Sequence, residues 1–237
     1  MTFQDIKNVA MILLEYLPNT LKLFAWTLVL SIPVGMIVTW LKSCKFRPVA
    51  WLTNLYILIM RGTPLMLQIV AVYYAIPMLM AGAKKSGETG LFYDIIGLVD
   101  TRAENYMFIA LVVAFVLNYA AYFAEIFRGG IESIPVGQYE ASAMLGMSKM
   151  QTFFRIILPQ VVKRVIPATA NEVIVLVKDT SLSFVIAIPE MFTVAKQIAA
   201  ADASIAALLV AGLFYYIFNL IVTLVMDLIE KRLSYYN

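Results

Sequence analysis

Four stretches of this chain are long and nearly free of charge, and they constrain its fold more than any other feature. Leu23 to Leu41 runs nineteen residues without Asp, Glu, Lys or Arg; Asn105 to Ala124 runs twenty, and Ala203 to Met226 runs twenty-four. Pro48 to Ala83 holds a single charge, Arg61. About 20 apolar helical residues cross the hydrocarbon core of a bilayer, so each stretch is long enough to span one. Composition agrees: the chain is 62% hydrophobic and 14% charged, where soluble domains are roughly half apolar and a quarter charged.

A fifth apolar run, Val165 to Pro189, carries Glu172, Lys178 and Asp179. The chain therefore reads as one all-α integral membrane domain over 1–237 with five transmembrane helices. Residues 2–16 place Phe3, Ile6, Val9, Ala10, Leu13 and Leu14 at helical spacing but carry charge, which predicts a short interfacial helix over about 1–17. Pro48–Ala83 exceeds one straight span, so a leading segment around Trp51 is expected at the interface and the span itself over roughly 57–81. Lys84 to Glu104 reads as a polar loop, for whose length the sequence offers no account.

Five spans put the termini on opposite sides, and the positive-inside rule selects which. One set of loops holds Lys42, Lys45, Arg47, Arg128, Lys149, Arg155, Lys163, Arg164, Lys231 and Arg232; the other holds Lys84, Lys85, Arg102 and Lys196, with Lys7 at the N-terminus. Ten against five predicts the N-terminus outside and the C-terminus in the cytoplasm.

Several chemistries are excluded. The chain has no histidine and one cysteine, Cys44, so Ser–His catalysis, His-ligated metal and an internal disulfide are not available. No GxxxxGK[ST] loop is present to cradle a nucleotide in that way. The net charge of +3 is spread over short loops and does not suggest nucleic acid. The start carries Asp5 and Lys7, and no cleavable signal peptide is expected.

Charges inside spans are costly and mark candidate functional residues. In the fourth span Asn171 and Lys178 are seven apart and share a helical face; Glu172 and Asp179 form the neighbouring stripe. Counting about 1.5 Å per residue from Val165 puts Lys178 roughly 20 Å in, with the hydroxyls of Thr180, Ser181 and Ser183 nearby. A Lys beside an Asp suits a zwitterion, or else forms a self-satisfied pair that holds helices together. Arg61 and Gln68 are also seven apart; Arg61 either forks onto a carboxylate or snorkels to the inner interface. Asn118, Tyr122 and Glu125 share a face of the third span, and Arg128 follows Glu125 by three, which reads as an Arg–Glu clamp at the inner end.

Between the third and fourth spans lies the stretch Arg128–Gln160. It reads as two short helices joined at Gly146, with Ser133 or Ile134 capping the first, Pro135 in its first turn, and a capping box from Ser148 and Gln151 on the second. Pro159 is expected to end that second helix. Glu140, Ala141, Gly146, Ile156, Leu158 and Pro159 stand in a spacing that resembles the EAA loop of bacterial ABC importer permeases; Ser142 replaces the usual second alanine. The strings RGTPLMLQ, AEIFRGGIESIPVGQYEA, LPQ and KDTSL extend the resemblance to the polar amino acid branch of that family, the histidine/glutamine type, over about 19–232.

The resemblance implies a type I ABC importer fold in a bacterial inner membrane, with residues 129–163 as a cytoplasmic coupling loop. It implies a homodimer or a pair of close homologues, two ABC ATPase subunits that bind ATP and Mg, and an extracytoplasmic substrate-binding protein. The chain itself is then a transport subunit without cofactor or catalytic site, set in lipid, moving glutamine, arginine, cystine or an acidic amino acid by alternating access. Arg61, Gln68, Asn171, Glu172, Lys178, Asp179, Thr180 and Ser181 are the candidate substrate residues, and Glu140, Ala141, Ser142, Gly146, Ile156, Leu158 and Pro159 the candidate ATPase contacts. A secondary amino acid transporter is the rival reading, although such proteins usually carry more spans or internal repeats. An intramembrane aspartyl enzyme would have only Asp179 and Asp202 to work with, and Asp202 falls in a loop. For the orientation, cysteines at Ser86 and Ser148 in a Cys44-free background should differ towards an impermeant thiol reagent on intact cells: Ser86 labels and Ser148 does not. The opposite pattern would overturn it.

Overall fold

The structure, a computed structural model, describes residues 3–87, 90–103 and 105–233. Met1 and Thr2 of the expected N-terminal helix, Glu88, Thr89 and Glu104 of the polar loop, and residues 234–237 lie outside the described residues. Among those described there is helix and turn but no strand. In chain order the helices are α1 (Phe3–Lys42), α2 (Arg47–Gly62), α3 (Leu65–Ser86), α4 (Leu91–Gly97), α5 (Tyr106–Glu132), α6 (Val136–Met144), α7 (Lys149–Thr152), α8 (Leu158–Asp179), α9 (Met191–Ala201) and α10 (Ala206–Leu233). A π-helical turn, Phe153–Ile157, joins α7 to α8, and a 3-10 segment, Thr180–Ile186, follows α8.

The core is built around α5. Its Leu111, Ala114, Phe115, Tyr119, Ala120 and Phe123 are almost fully buried. The most extensive packing in the molecule is of α1 against it. Every fourth residue of α1 on that face is small: Thr27, Ser31, Gly35 and Thr39, three of them with buried hydroxyls. In an apolar solvent helices associate by close packing and by polar contacts rather than by hydrophobic exclusion, and small residues let the backbones approach. Gly35 shows how close the approach is, since a Cβ there would lie 2.8 Å from Phe123 Cβ and 3.2 Å from Ala120 O. One turn on, Thr39 Oγ1 donates to Gly35 O at 2.8 Å and across the interface to Ala124 O at 3.1 Å.

Four described helices are long and apolar enough to cross a membrane: Gln4–Lys42, Leu65–Ser86, Tyr106–Glu132 and Ala206–Leu233. The expected fourth span, Val165–Pro189, is not a single helix. It is α-helical to Asp179, 3-10 to Ile186, and then turns at Ala187, whose φ is 57°.

Four further expectations are corrected. Residues 3–16 are not a separate helix but the opening turns of α1, which passes straight through Pro18. They are held because Val9 and Leu13 bury against Met191, Val194 and Ala195 of α9 and Ala207 and Ala211 of α10. The 57–81 span is broken: α2 ends at Gly62 and α3 begins after Pro64. Proline has no N–H to continue the ladder and pushes the residue before it out of helical geometry, and Thr63 is indeed extended (φ −119°, ψ 148°). Pro159 does not stop the second loop helix. The Leu158 N–H reaches back five residues to Phe153 O, and this wider turn absorbs the proline, so the chain stays helical from Lys149 to Asp179. The expected polar loop after α3 is partly helical: α3 continues to Ser86 and α4 packs on it, with Met80 against Gly97.

Gly35→Val should lower the unfolding temperature of the detergent-solubilised protein, since overpacking a close interface costs about 1–3 kcal/mol. Gly82→Ala, where a Cβ meets nothing within 4 Å, serves as the control. Equal unfolding temperatures for the two would contradict the close α1–α5 approach.

Candidate functional site

Where α2 gives way to α3, the chain ends left over by the break are tied to α5. Gln68 Nε2 lies 2.9 Å from Met60 O, 3.1 Å from Thr63 O and 2.8 Å from Thr63 Oγ1, so it covers the carbonyls freed at the end of α2. Asn118 of α5 donates to Met60 O at 2.9 Å and to Gln68 Oε1 at 3.0 Å. Arg61 and Gln68 therefore share no helical face: they sit on two helices, and the Gln68 amide is spent on the splice between them.

The splice forms one wall of a cavity of about 410 Å³ whose other walls are α5 and α8. Pro64, Asn118, Tyr119, Tyr122, Glu172 and Asp179 are among its lining residues. Glu172 and Asp179 come from one stripe of α8, two turns apart. Asp179 is oriented by the buried Tyr119, whose hydroxyl donates to Asp179 Oδ2 at 2.7 Å. Asn171 and Lys178 lie on a different, exposed face of α8 and do not line the cavity, and Lys178 makes no salt bridge to Asp179 among the described residues. Thr180 Oγ1 donates to Val177 O and Ser181 Oγ to Lys178 O, so both hydroxyls finish the end of α8.

At the C-terminal end of α5, Glu125 gathers cations from three helices. Lys42 of α1 pairs with its Oε1 at 2.5 Å, Arg128 with its Oε2 at 2.8 Å, and Arg61 of α2 stands 3.9 Å from Oε2. Arg128 also reaches Glu132. The expected Arg–Glu clamp is present and larger than the sequence showed. Arg61 lies over the Tyr122 ring, 5.3 Å from its centroid, which brings the guanidinium to the edge of the cavity.

Two residues that matter here carried no signal that sequence reasoning used. Tyr119 lies inside a charge-free span and reads as core. Glu190 is 1% exposed and caps α9, accepting from Phe192 N at 2.9 Å and Thr193 N at 2.7 Å. It also accepts from Thr20 of α1 and Tyr215 of α10, which fixes the chain just beyond the cavity. A carboxylate directly before a new helix, after Pro189, is the clue that was available.

The stretch between α5 and α8 forms a second candidate site. Ser133 closes α5, donating to Gly130 O, rather than capping α6; Pro135 precedes α6, and Ile134 is buried. Gly146 has φ +70°, and a Cβ there would meet nothing within 4 Å, so within this chain only its backbone conformation demands glycine. The Ser148–Gln151 capping box is formed. Ser142 is buried and donates to Gln138 O; Glu140, Ala141 and Pro159 are exposed, Ile156 and Leu158 partly so. Met144 and Leu145 are 88% and 79% exposed and form an apolar tip.

Comparison with known proteins gives concordant results. The profile of the family described as binding-protein-dependent transport system inner membrane component matches residues 11–235. The arginine transport system permease protein ArtQ of Bacillus subtilis is 34% identical over 223 residues, 94% of this chain and 92% of its own length. The L-cystine transport system permease protein TcyB of the same organism is 34% identical over 214 residues, 88% of this chain and 82% of its own. The glutamate/aspartate import permease protein GltK of Escherichia coli is 31% identical over 221 residues, 93% and 92% of the two chains. A solved amino acid ABC transporter with histidines superimposes with a TM-score of 0.78 at 25% identity, covering 98% of this chain and 99% of its own. The inward-facing MetNI methionine ABC transporter gives 0.66 at 18% identity over 99% and 100%, a likeness of fold.

Proposed function

Because this chain belongs to the family of binding-protein-dependent transport system inner membrane components, as an amino acid ABC permease, we propose that it carries a cationic amino acid through the α3–α5–α8 cavity. The observation behind the choice of substrate is that Glu172 and Asp179 both line the cavity while Lys178 does not. With Arg61 at the edge, the site offers two anions and one cation. A basic amino acid offers the complement: an ammonium group, a side-chain cation and one carboxylate. A neutral amino acid would leave one carboxylate unmatched, and an acidic one would add a like charge. At about 4 Å each opposite pair is worth roughly 4 kcal/mol before desolvation at an effective dielectric of 20. The relatives named for arginine, cystine and glutamate/aspartate show that the family alone does not choose among these charges.

ATP drive follows from the family and argues against a secondary transporter. The remaining features are part of the same proposal. The fifth crossing is made by α8 with the 3-10 segment after it; the N-terminus is outside, and the α6–α7 loop is cytoplasmic. Two ATPase subunits, holding ATP and Mg, seat the exposed tip around Met144, Leu145 and Gly146. A second permease subunit completes the pathway, because exposed polar residues such as Asn171 and Lys178 need a partner away from lipid. A substrate-binding protein delivers from outside.

The test is a panel of amino acids on the assembled transporter in vesicles, read as uptake and stimulated ATPase activity. Arginine or lysine should be preferred, and Glu172→Gln should raise their half-saturating concentration about tenfold, close to 1.4 kcal/mol. Preference for glutamate or glutamine, or an unchanged half-saturation in Glu172→Gln, would overturn the substrate assignment.

A further inference from the structure

Arg61 stands between two anionic sites and is firmly held by neither. Its guanidinium makes no hydrogen bond among the described residues, and its only salt bridge there, to Glu125 Oε2, is the longest of the four at 3.9 Å. Glu125 is already committed elsewhere. Lys42 takes Oε1, and Arg128 takes Oε2 through both Nε at 3.2 Å and Nη2 at 2.8 Å. Arg61 also lies over Tyr122, a residue of the cavity wall. Its side chain is 44% exposed, with five donors available for a planar acceptor. Arg61 sits two residues before the Thr63–Pro64 break, where the chain is not locked into a continuous helix.

We propose that Arg61 is a two-position latch, resting on Glu125 when the cavity is empty and forking onto the α-carboxylate of the amino acid when it is filled. This rests on the cavity being the substrate site. The consequence reaches beyond binding, because Glu125, Arg128 and Glu132 run in sequence along the last turns of α5, and Ser133 ends that helix at the start of the α6 loop. Withdrawing Arg61 leaves Glu125 to Lys42 and Arg128, so occupancy of the cavity alters the charge balance at the inner end of the helix that leads into the loop. The resting contact also lowers affinity: for a substrate that must draw Arg61 from Glu125, the apparent affinity is scaled down to the fraction of time Arg61 is free of it.

The experiment is a double-mutant cycle on the assembled transporter, with Glu125→Gln and Arg61→Gln made singly and together and arginine as the probe. Half-saturation is read from arginine-stimulated ATPase activity, with unstimulated activity recorded for each variant. Glu125→Gln should lower the half-saturating concentration about three- to tenfold while Lys42 and Arg128 keep a neutral acceptor. Arg61→Gln should raise it and abolish the effect of Glu125→Gln, so that the double variant matches Arg61→Gln alone. Arg61→Lys should retain part of the affinity but lose the coupling, since an ammonium cannot fork. Additive effects of the two substitutions, or a Glu125→Gln variant that assembles with unchanged half-saturation, would overturn the latch. Glu172→Gln in the same assay separates the two ideas. If it weakens arginine while the cycle shows no coupling, the site stands and the latch fails; if it has no effect, the substrate assignment fails first.

Discussion

The rest of the structure depends on how closely α1 lies against α5. A bilayer gives two helices no hydrophobic reason to adhere, so the contact rests on packing and on groups such as Thr39 that bond across it. Gly35 lets the α1 backbone approach Ala120 and Phe123. With one side of α5 fixed in this way, its Asn118, Tyr119 and Tyr122 are presented to the cavity and Glu125 to Lys42 of α1. The cavity and the charge cluster are successive levels of one helix, held by one interface.

Charge is sorted along that helix. The carboxylates of Glu172 and Asp179 stand at the cavity, and cations crowd Glu125 below it. Burying an unmatched carboxylate in a membrane protein is expensive. Asp179 is relieved by the Tyr119 hydroxyl, whereas no hydrogen bond to the Glu172 carboxylate is formed among the described residues. An acid left without a donor beside a cavity is the arrangement expected where a cationic ligand completes the site. Glu190, by contrast, is fully surrounded by donors from α1, α9 and α10 and serves to hold them together.

Much of this was legible beforehand. The charge-free runs located four apolar helices, and local chemistry located the positive-φ Gly146 and the capping box at Ser148. What failed did so for identifiable reasons. Hydropathy averages over the apolar run that contains Pro64, so the break between α2 and α3 vanished, and with it the fact that Gln68 caps Met60 and Thr63. The charges Asp5, Lys7 and Glu15 made the start of α1 look separate, because its partners Met191 and Ala207 are far away in sequence. Helical spacing correctly grouped Glu172 with Asp179 and Asn171 with Lys178, but periodicity does not say which stripe meets α5. Tyr119 was silent because a tyrosine in an apolar span reads as packing until the position of its hydroxyl is known.

The claim that this cavity is worked by an ATPase through the α6–α7 turn is tested most directly at Gly146. A Cβ there would meet nothing within 4 Å, so the permease should still fold and insert, while Gly146→Asp strains a left-handed turn and puts a charge into the exposed apolar tip. The measurement is ATP-dependent arginine uptake and ATPase activity in vesicles carrying the assembled variant. Uptake near background is expected, with the ATPase subunit either lost from the complex or hydrolysing without transport. Uptake and coupling equal to those of the unaltered protein would contradict it.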